Sequence, residues 1–170
     1  MNENRQRQHF KEIMEQHKGI VLKVARVYCH DESDRQDLVQ EIMIQIWQSL
    51  HRYDSQYKIS TWLYRISLNV AISFYRRNAA RRARHIQLNE ESTQIAVTDH
   101  FSVEQQLNLL DQFISKLKEI DKALMMLYLE GKSHAEISEI MGVSVSNVGT
   151  KISRIKDKLK QRFTNQIQSL

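Results

Sequence analysis

From His134 to Lys160 the residue types recur in a pattern suited to phosphate and base contacts. Val148, Ile152, Ile155 and Leu159 return at steps of four, three and four, which is one apolar face of a helix. The opposite face carries Asn147, Thr150, Lys151, Arg154 and Lys158. Just upstream, Ile137, Ile140 and Met141 form a second apolar face. Ser138 is small where two helices would cross closely. Gly142 stands where a tight turn requires positive φ. Val143 plugs that turn, and Ser144 can cap the helix after it. The spacing predicts a helix-turn-helix whose second helix packs on one side and is polar and basic on the other, a form that enters a major groove. An ordinary helical hairpin with a basic solvent face shares the periodicity. It does not require the small residue, the glycine and the turn plug together.

A second chemistry precedes it. Tyr53, Tyr57, Trp62 and Tyr64 interleave with Lys58 and Arg65. From Ser55 to Asn89 there is no carboxylate, while Lys58, Arg65, Arg76, Arg77, Arg81, Arg82 and Arg84 give a local charge of +7. Rings beside cations suit unpaired bases, because every base offers a π face and every nucleotide a phosphate. Between Ile86 and Ser115 the balance inverts, with Glu90, Glu91, Asp99, Glu104 and Asp111 and no Lys or Arg. Asn147–Arg162 is basic again, six cations against Asp157. The net charge of +5 over 170 residues is modest; two basic segments flanking an acidic middle point to polyanion binding.

These residues need helices to position them. Phe10, Ile13, Met14, His17, Ile20, Val21, Val24 and Tyr28 trace one apolar stripe. A second helix starts near Asp34, with Leu38, Ile42, Met43, Ile46, Trp47 and Leu50 on its apolar face. His51–Lys58 reads as a polar loop. Ser60 is the expected N-cap of a third helix reaching about Ala83, which buries Leu63, Ile66, Val70 and Phe74. Periodicity lapses after His85 and resumes with Val103, Leu107, Leu110, Ile114 and Leu117. A further helix covers Asp121–Glu130 and ends at Gly131. Absence of Pro and only four Gly argue against a turn-rich β fold. The expectation is an all-α chain of two small helical domains, 1–85 and 103–170, joined by a flexible linker over 86–102. The second domain carries the helix-turn-helix. The acidic linker has too little apolar surface to order itself, so the halves are expected to separate.

Other function classes find little support. The uncharged run Ile66–Tyr75 is far short of the ~18 apolar residues of a membrane span, and the first ten residues hold no apolar core of a secretory signal. The single cysteine, Cys29, fits a reducing compartment and reads as a small buried hydrophobe. The seven His are scattered, no Ser/His/Asp or metal-ligand spacing stands out, and the four Gly are too dispersed for a phosphate loop. No catalytic site, metal or cofactor is expected.

The segment LEGKSHAEISEIMGVSVSNVGTKISRIKDKL resembles region 4 of the extracytoplasmic-function (ECF) sigma factors, within the sigma-70 family. DRQDLVQEIMIQIWQSL resembles region 2.2, and STWLYRISLNVAISFYRR resembles regions 2.3 and 2.4. The resemblance covers nearly all of Gly19–Arg162. It implies a bacterial initiation subunit rather than an enzyme, acting in the cytoplasm on core RNA polymerase and promoter DNA, with an anti-sigma factor as a further partner. It implies polymerase contacts through Asp37, Leu38, Gln40, Glu41 and Trp47, although Leu38 and Trp47 fit core packing equally well. For the −10 element it implies Tyr53, Tyr57, Lys58, Ser60, Thr61, Trp62, Tyr64, Arg65, Asn69, Tyr75, Arg76 and Arg77, with Trp62 and Tyr64 also suited to a core. For the −35 element it implies Ser144, Ser146, Asn147, Thr150, Lys151, Ser153, Arg154 and Lys158. Gly149 falls where many relatives carry a basic residue. A stand-alone helix-turn-helix regulator is the alternative and leaves DLVQEI and STWLYRI unexplained. A recombinase would need a nucleophile and Arg clustered around a catalytic fold, whereas the Arg here lie along one helix end.

Overall fold

The computed structural model describes residues 3–78 and 103–168. The linker assignment, 86–102, and the end of the expected third helix beyond Asn78 lie outside the described residues. All regular structure among them is helical.

The N-terminal half is built from α1 (Glu3–Tyr28), α2 (Glu32–Ser49) and α3 (Ile59–Arg77), with a single 3₁₀ turn at Leu50–Arg52. α1 buries Ile13, Val21, Val24, Ala25 and Tyr28, the stripe that its periodicity marks. Asp31 caps α2: its carboxylate accepts from the Asp34 amide at 3.0 Å. Leu38, Ile42 and Ile46, one every four residues, carry α2 into the core. α3 contributes Leu63, Leu68, Ala71, Ile72 and Phe74, and the three helices pack on one another. Its start differs from the expectation. The helix begins at Ile59, Lys58 holds the cap position without a side-chain bond, and Ser60 lies inside the first turn. The Trp62 amide already bonds to the Lys58 carbonyl at 3.2 Å, so a cap at Ser60 comes two residues late.

The C-terminal half comprises α4 (Val103–Ser115), α5 (Glu119–Leu129), α6 (His134–Met141) and α7 (Val145–Gln168). α5 is its hub, burying Ala123, Leu124, Met125, Met126 and Leu127 in succession. Helices that are apolar nearly all round sit at the centre of a fold. Gly131 follows α5 at φ 73° and Gly142 follows α6 at φ 68°, the left-handed positions expected for both. Ser133 caps α6 in a capping box with Glu136, an S-x-x-E pattern plain in the sequence.

Cys29 is buried as expected. The two halves, however, pack against each other. One apolar cluster runs from Val24, Tyr28 and Leu68 through Leu124, Leu127, Ile137 and Ile140 to Val148. A smaller cluster of Phe113, Met125 and Ile155 ties α4 and α7 to α5. Among the described residues, no helix is long and apolar enough to cross a membrane.

Two glycines sit inside helices without a steric reason. A Cβ at Gly19 meets nothing within 4 Å, and one at Gly149 meets the His134 ring at 3.5 Å, an ordinary contact. Glycine in a helix interior costs about 0.5–1 kcal/mol relative to alanine. Gly19→Ala and Gly149→Ala are each expected to raise the thermal midpoint by about 1–4 °C in a chain of this size. Calorimetry checks this; a lowered midpoint at either site contradicts the open packing.

Candidate nucleic-acid interface

The helix-turn-helix comprises α6, the turn at Gly142 and α7. The Ser138 hydroxyl donates to the Val143 carbonyl at 2.5 Å and pins the turn. Ser144 accepts from the Asn147 amide at 3.2 Å and starts α7. Val148, Ile152 and Ile155 are buried, fixing the rotation of α7. That rotation leaves Ser144, Ser146, Asn147, Thr150, Ser153, Arg154 and Lys158 exposed on one continuous surface. The Thr150 hydroxyl donates to the Ser146 carbonyl at 3.0 Å. Lys151 is different. It is half-buried and pairs with Asp121 of α5 at 3.6 Å. Exposed, positively charged Arg154 is therefore better placed than Lys151 for a base edge.

The second surface centres on α3. Tyr53 and Trp62 pack with ring centroids 5.2 Å apart, and the Tyr53 hydroxyl donates to the Tyr57 carbonyl at 2.8 Å. Asp54 accepts from the Gln56 amide at 2.9 Å, which shapes the turn. Tyr57 and Lys58 are exposed, and the Arg65 guanidinium lies 5.9 Å from the Tyr57 ring centre. Trp62 and Ser60 are half-buried, whereas Thr61 and Tyr64 are buried. Burial, and then the neighbouring Glu130 carboxylate, push the Tyr64 phenol up to about 12. Stacking on a base is open to Tyr57; Tyr64 is core in this arrangement, and Trp62 presents one edge.

Further along α3 the candidates divide between two faces. Asn69 and Arg77, with Ile66, Val70 and Ser73, line a groove of about 450 Å³ against Glu41, Ile44 and Gln45 of α2. Tyr64, Arg65, Tyr75 and Arg76 turn instead toward the C-terminal half. The Arg65 guanidinium donates to the Glu139 carbonyl at 2.6 Å, and Arg76 pairs with Glu119 at 2.8 Å. The bond from Arg76, reinforced by a backbone amide, holds the Glu119 carboxyl below its usual range. The Lys122 ammonium sits 4.7 Å from the Tyr75 ring centre.

On α2, Asp37 and Gln40 are exposed and Glu41 is half-exposed, beside the exposed apolar Ile44. Glu41 bonds to Arg77 at 2.5 Å. Leu38 is fully buried, so its side chain belongs to the core. Trp47 is half-buried, edge-on to Phe10 at 5.5 Å, and its carbonyl accepts from Gln6. Ile44 completes an acid-edged apolar patch; its place three and four residues from Glu41 and Gln40 was the signal for it. Among the described residues, no group of three His, Cys, Asp or Glu is arranged to hold a metal ion.

Comparison with known proteins places both surfaces in one context. Residues 13–81 match the family model for sigma-70 region 2, and residues 107–159 match that for sigma-70 region 4. The chain is 31% identical to the RNA polymerase sigma factor YlaC of Bacillus subtilis over 142 residues, covering 79% of this chain and 80% of that protein. It is 27% identical to the ECF RNA polymerase sigma factor SigW of the same organism, covering 91% and 88%. In fold it is similar to CnrH in complex with the cytosolic domain of CnrY, with a TM-score of 0.67 at 22% identity over 94% of this chain and 90% of that one. It is likewise similar to the sigma factor RpoE bound to the anti-sigma factor NepR from Bartonella quintana, with a TM-score of 0.65 at 18% identity over 92% and 97%.

Proposed function

Because the chain belongs to the sigma-70 family, in its extracytoplasmic-function group, we propose that it directs core RNA polymerase to −10/−35 promoters and helps to melt them. The N-terminal half takes two roles. The α2 patch of Asp37, Gln40, Glu41 and Ile44 meets a basic helical surface on core polymerase, carboxylates against cations around an apolar centre. The α3 surface holds the unpaired −10 strand. Tyr57 supplies the exposed ring, and Lys58, Arg65, Arg76 and Arg77 supply phosphate contacts. Extruding a base costs a few kcal/mol, which stacking and cation contacts on this surface must offset.

The C-terminal half reads the −35 duplex through α7. Ser144, Ser146 and Asn147 at its start suit phosphates, since the first amides of a helix are free donors. Arg154 suits a base edge, with Ser153 and Thr150 beside it, and Lys158 suits the backbone. No step calls for bond chemistry by the chain itself: it is a positioning subunit, not an enzyme, and needs no cofactor. It works where polymerase works, in the cytoplasm, and an anti-sigma factor is its natural antagonist.

The observation that carries this reading is the coexistence, in family order, of a basic helix-turn-helix and an aromatic, carboxylate-free α3 surface backed by the α2 patch. A stand-alone operator-binding regulator accounts for the first alone. Run-off transcription with purified bacterial core polymerase tests it. Promoter-dependent transcripts are expected only when the chain is added. Tight binding to duplex DNA without core polymerase, and no transcripts with it, would support the regulator instead.

A further inference from the structure

One side chain from outside α7 stands on its surface. The first two turns of α7, Val145–Ile152, hold a single charged residue, Lys151, and Asp121 of α5 holds it. At about 100° per residue, Gly149 lies about 200° round the helix from Lys151, on the opposite flank. Ser146 and Ser153, three residues before Gly149 and four after it, share that flank and are exposed. Exposed Lys156 and Lys160, seven and eleven residues on, stand in line with Gly149, and Lys156 also reaches the Tyr128 hydroxyl at 3.4 Å. Gly149 itself offers this row no side chain. The His134 ring lies there instead: Nδ1 is 3.5 Å and Cε1 3.7 Å from where a Cβ on Gly149 would stand. His134 is exposed and opens α6, held in place by the capping box of Ser133 and Glu136. The Glu136 carboxylate, the acid of that turn, accepts from the Ser133 amide at 3.0 Å and from its hydroxyl at 3.1 Å. Neither imidazole nitrogen has a hydrogen-bond partner among the described residues.

We propose that His134 is a further −35 contact: its imidazole takes the place of the side chain that α7 lacks at Gly149 and donates an N–H to a phosphate of the duplex. This rests on the reading of α7 as the −35 helix and adds a residue from the helix before it. In a helix-turn-helix the second helix lies in the major groove while the first crosses the backbone, so a side chain at the start of α6 meets phosphate rather than a base edge. A neutral imidazole carries one N–H donor and a charged one carries two, so a phosphate oxygen finds a donor in either state. The row of donors formed by Lys160 and Lys156 is thereby carried to the start of α7, on the flank that Lys151 does not serve. Gly149 is what lets the ring lie so close; any longer side chain there competes with it for the same space.

Promoter binding by holoenzyme, assembled from the full chain and purified core polymerase, tests this on two templates. One is a duplex promoter with both elements; the other is a fork that ends before the −35 element. His134→Ala is expected to weaken binding to the first by about threefold to tenfold, the size of one hydrogen bond, and to leave the second unchanged. All −35 variants should lose alike, because a phosphate carries no sequence. His134→Leu still covers Gly149 but has no donor, and should lose as much. His134→Gln keeps a donor and should lose at most about twofold. His134→Ala/Gly149→Arg supplies the donor from α7 itself and should regain most of the affinity. Circular dichroism follows folding; should His134→Ala unfold, His134→Leu carries the test. Full affinity in His134→Leu overturns the proposal, since cover alone then suffices. So does an equal loss on the fork, a changed rank order among −35 variants, or a double variant no stronger than His134→Ala. Arg154→Ala keeps the two ideas apart. If it flattens −35 preference while His134→Ala changes nothing, the His134 contact alone falls. If neither variant alters binding to the duplex promoter, α7 is not the −35 helix and both readings fall.

Discussion

Reversing charge at Asp37 and Glu41, each to Lys, is expected to weaken binding of core polymerase by at least about a hundredfold, since like charges set against each other at an interface cost several kcal/mol. Both side chains lie on the solvent side of α2, opposite Leu38, Ile42 and Ile46, so the core keeps its packing. The Asp31 cap is untouched, and helicity by circular dichroism should persist. The pairing of Glu41 with Arg77 gives the double variant a second effect, because reversal there also repels Arg77, which we propose as a −10 contact. Asp37→Lys alone separates them: it should lose a large share of polymerase affinity while single-stranded DNA binding stays unchanged. Pull-down with purified core polymerase measures the first and oligonucleotide titration the second. Undiminished pull-down by the folded double variant would place the interface elsewhere.

What the sequence makes legible here is what short-range physics determines. Gly142 and Ser144 could be placed because a left-handed residue and a helix cap are local demands, met within four residues. The apolar faces of α1, α2 and α7 were legible because burial imposes the helical period on the chain. Lys58 as the α3 cap position was not. Several hydroxyls crowd the start of that helix, and Ser60 advertises a bond that the backbone makes without it. Tyr64 was ambiguous for a deeper reason: an aromatic beside cations reads the same whether a base or a carboxylate of the same chain lies opposite. The packing of the two halves escaped altogether. Each half has its own amphipathic helices, and the residues that join them, Tyr28 to Glu119 or Arg65 to Glu139, are 91 and 74 positions apart. No periodicity records such a pairing. The acidic character of the Glu119–Glu139 stretch was the one trace, and it is no greater than that of an ordinary solvated face.

At the −35 end the expectation sharpens to a single side chain. Arg154 is exposed on α7 between Thr150 and Lys158, one turn from each, and buried Ile152 and Ile155 fix its direction. Its fork of donors matches guanine O6 and N7, a pairing that discriminates by about 1–3 kcal/mol against the wrong base. Lys151, held against Asp121, must leave that carboxylate before it reaches DNA, which reduces what it can contribute. Arg154→Ala should therefore flatten preference among −35 variants at one or two positions, by about 5- to 150-fold in relative output. Lys158→Ala, at a position we propose for a phosphate contact, should lower output on all variants alike and reduce the salt slope by about one. Transcription from a promoter library reads both at once. Should Arg154→Ala lower output evenly and preserve the rank order, Arg154 is a phosphate anchor. The base reader is then Ser153, or a Lys151 released from Asp121, and Asp121→Asn distinguishes those two by strengthening discrimination only in the second case.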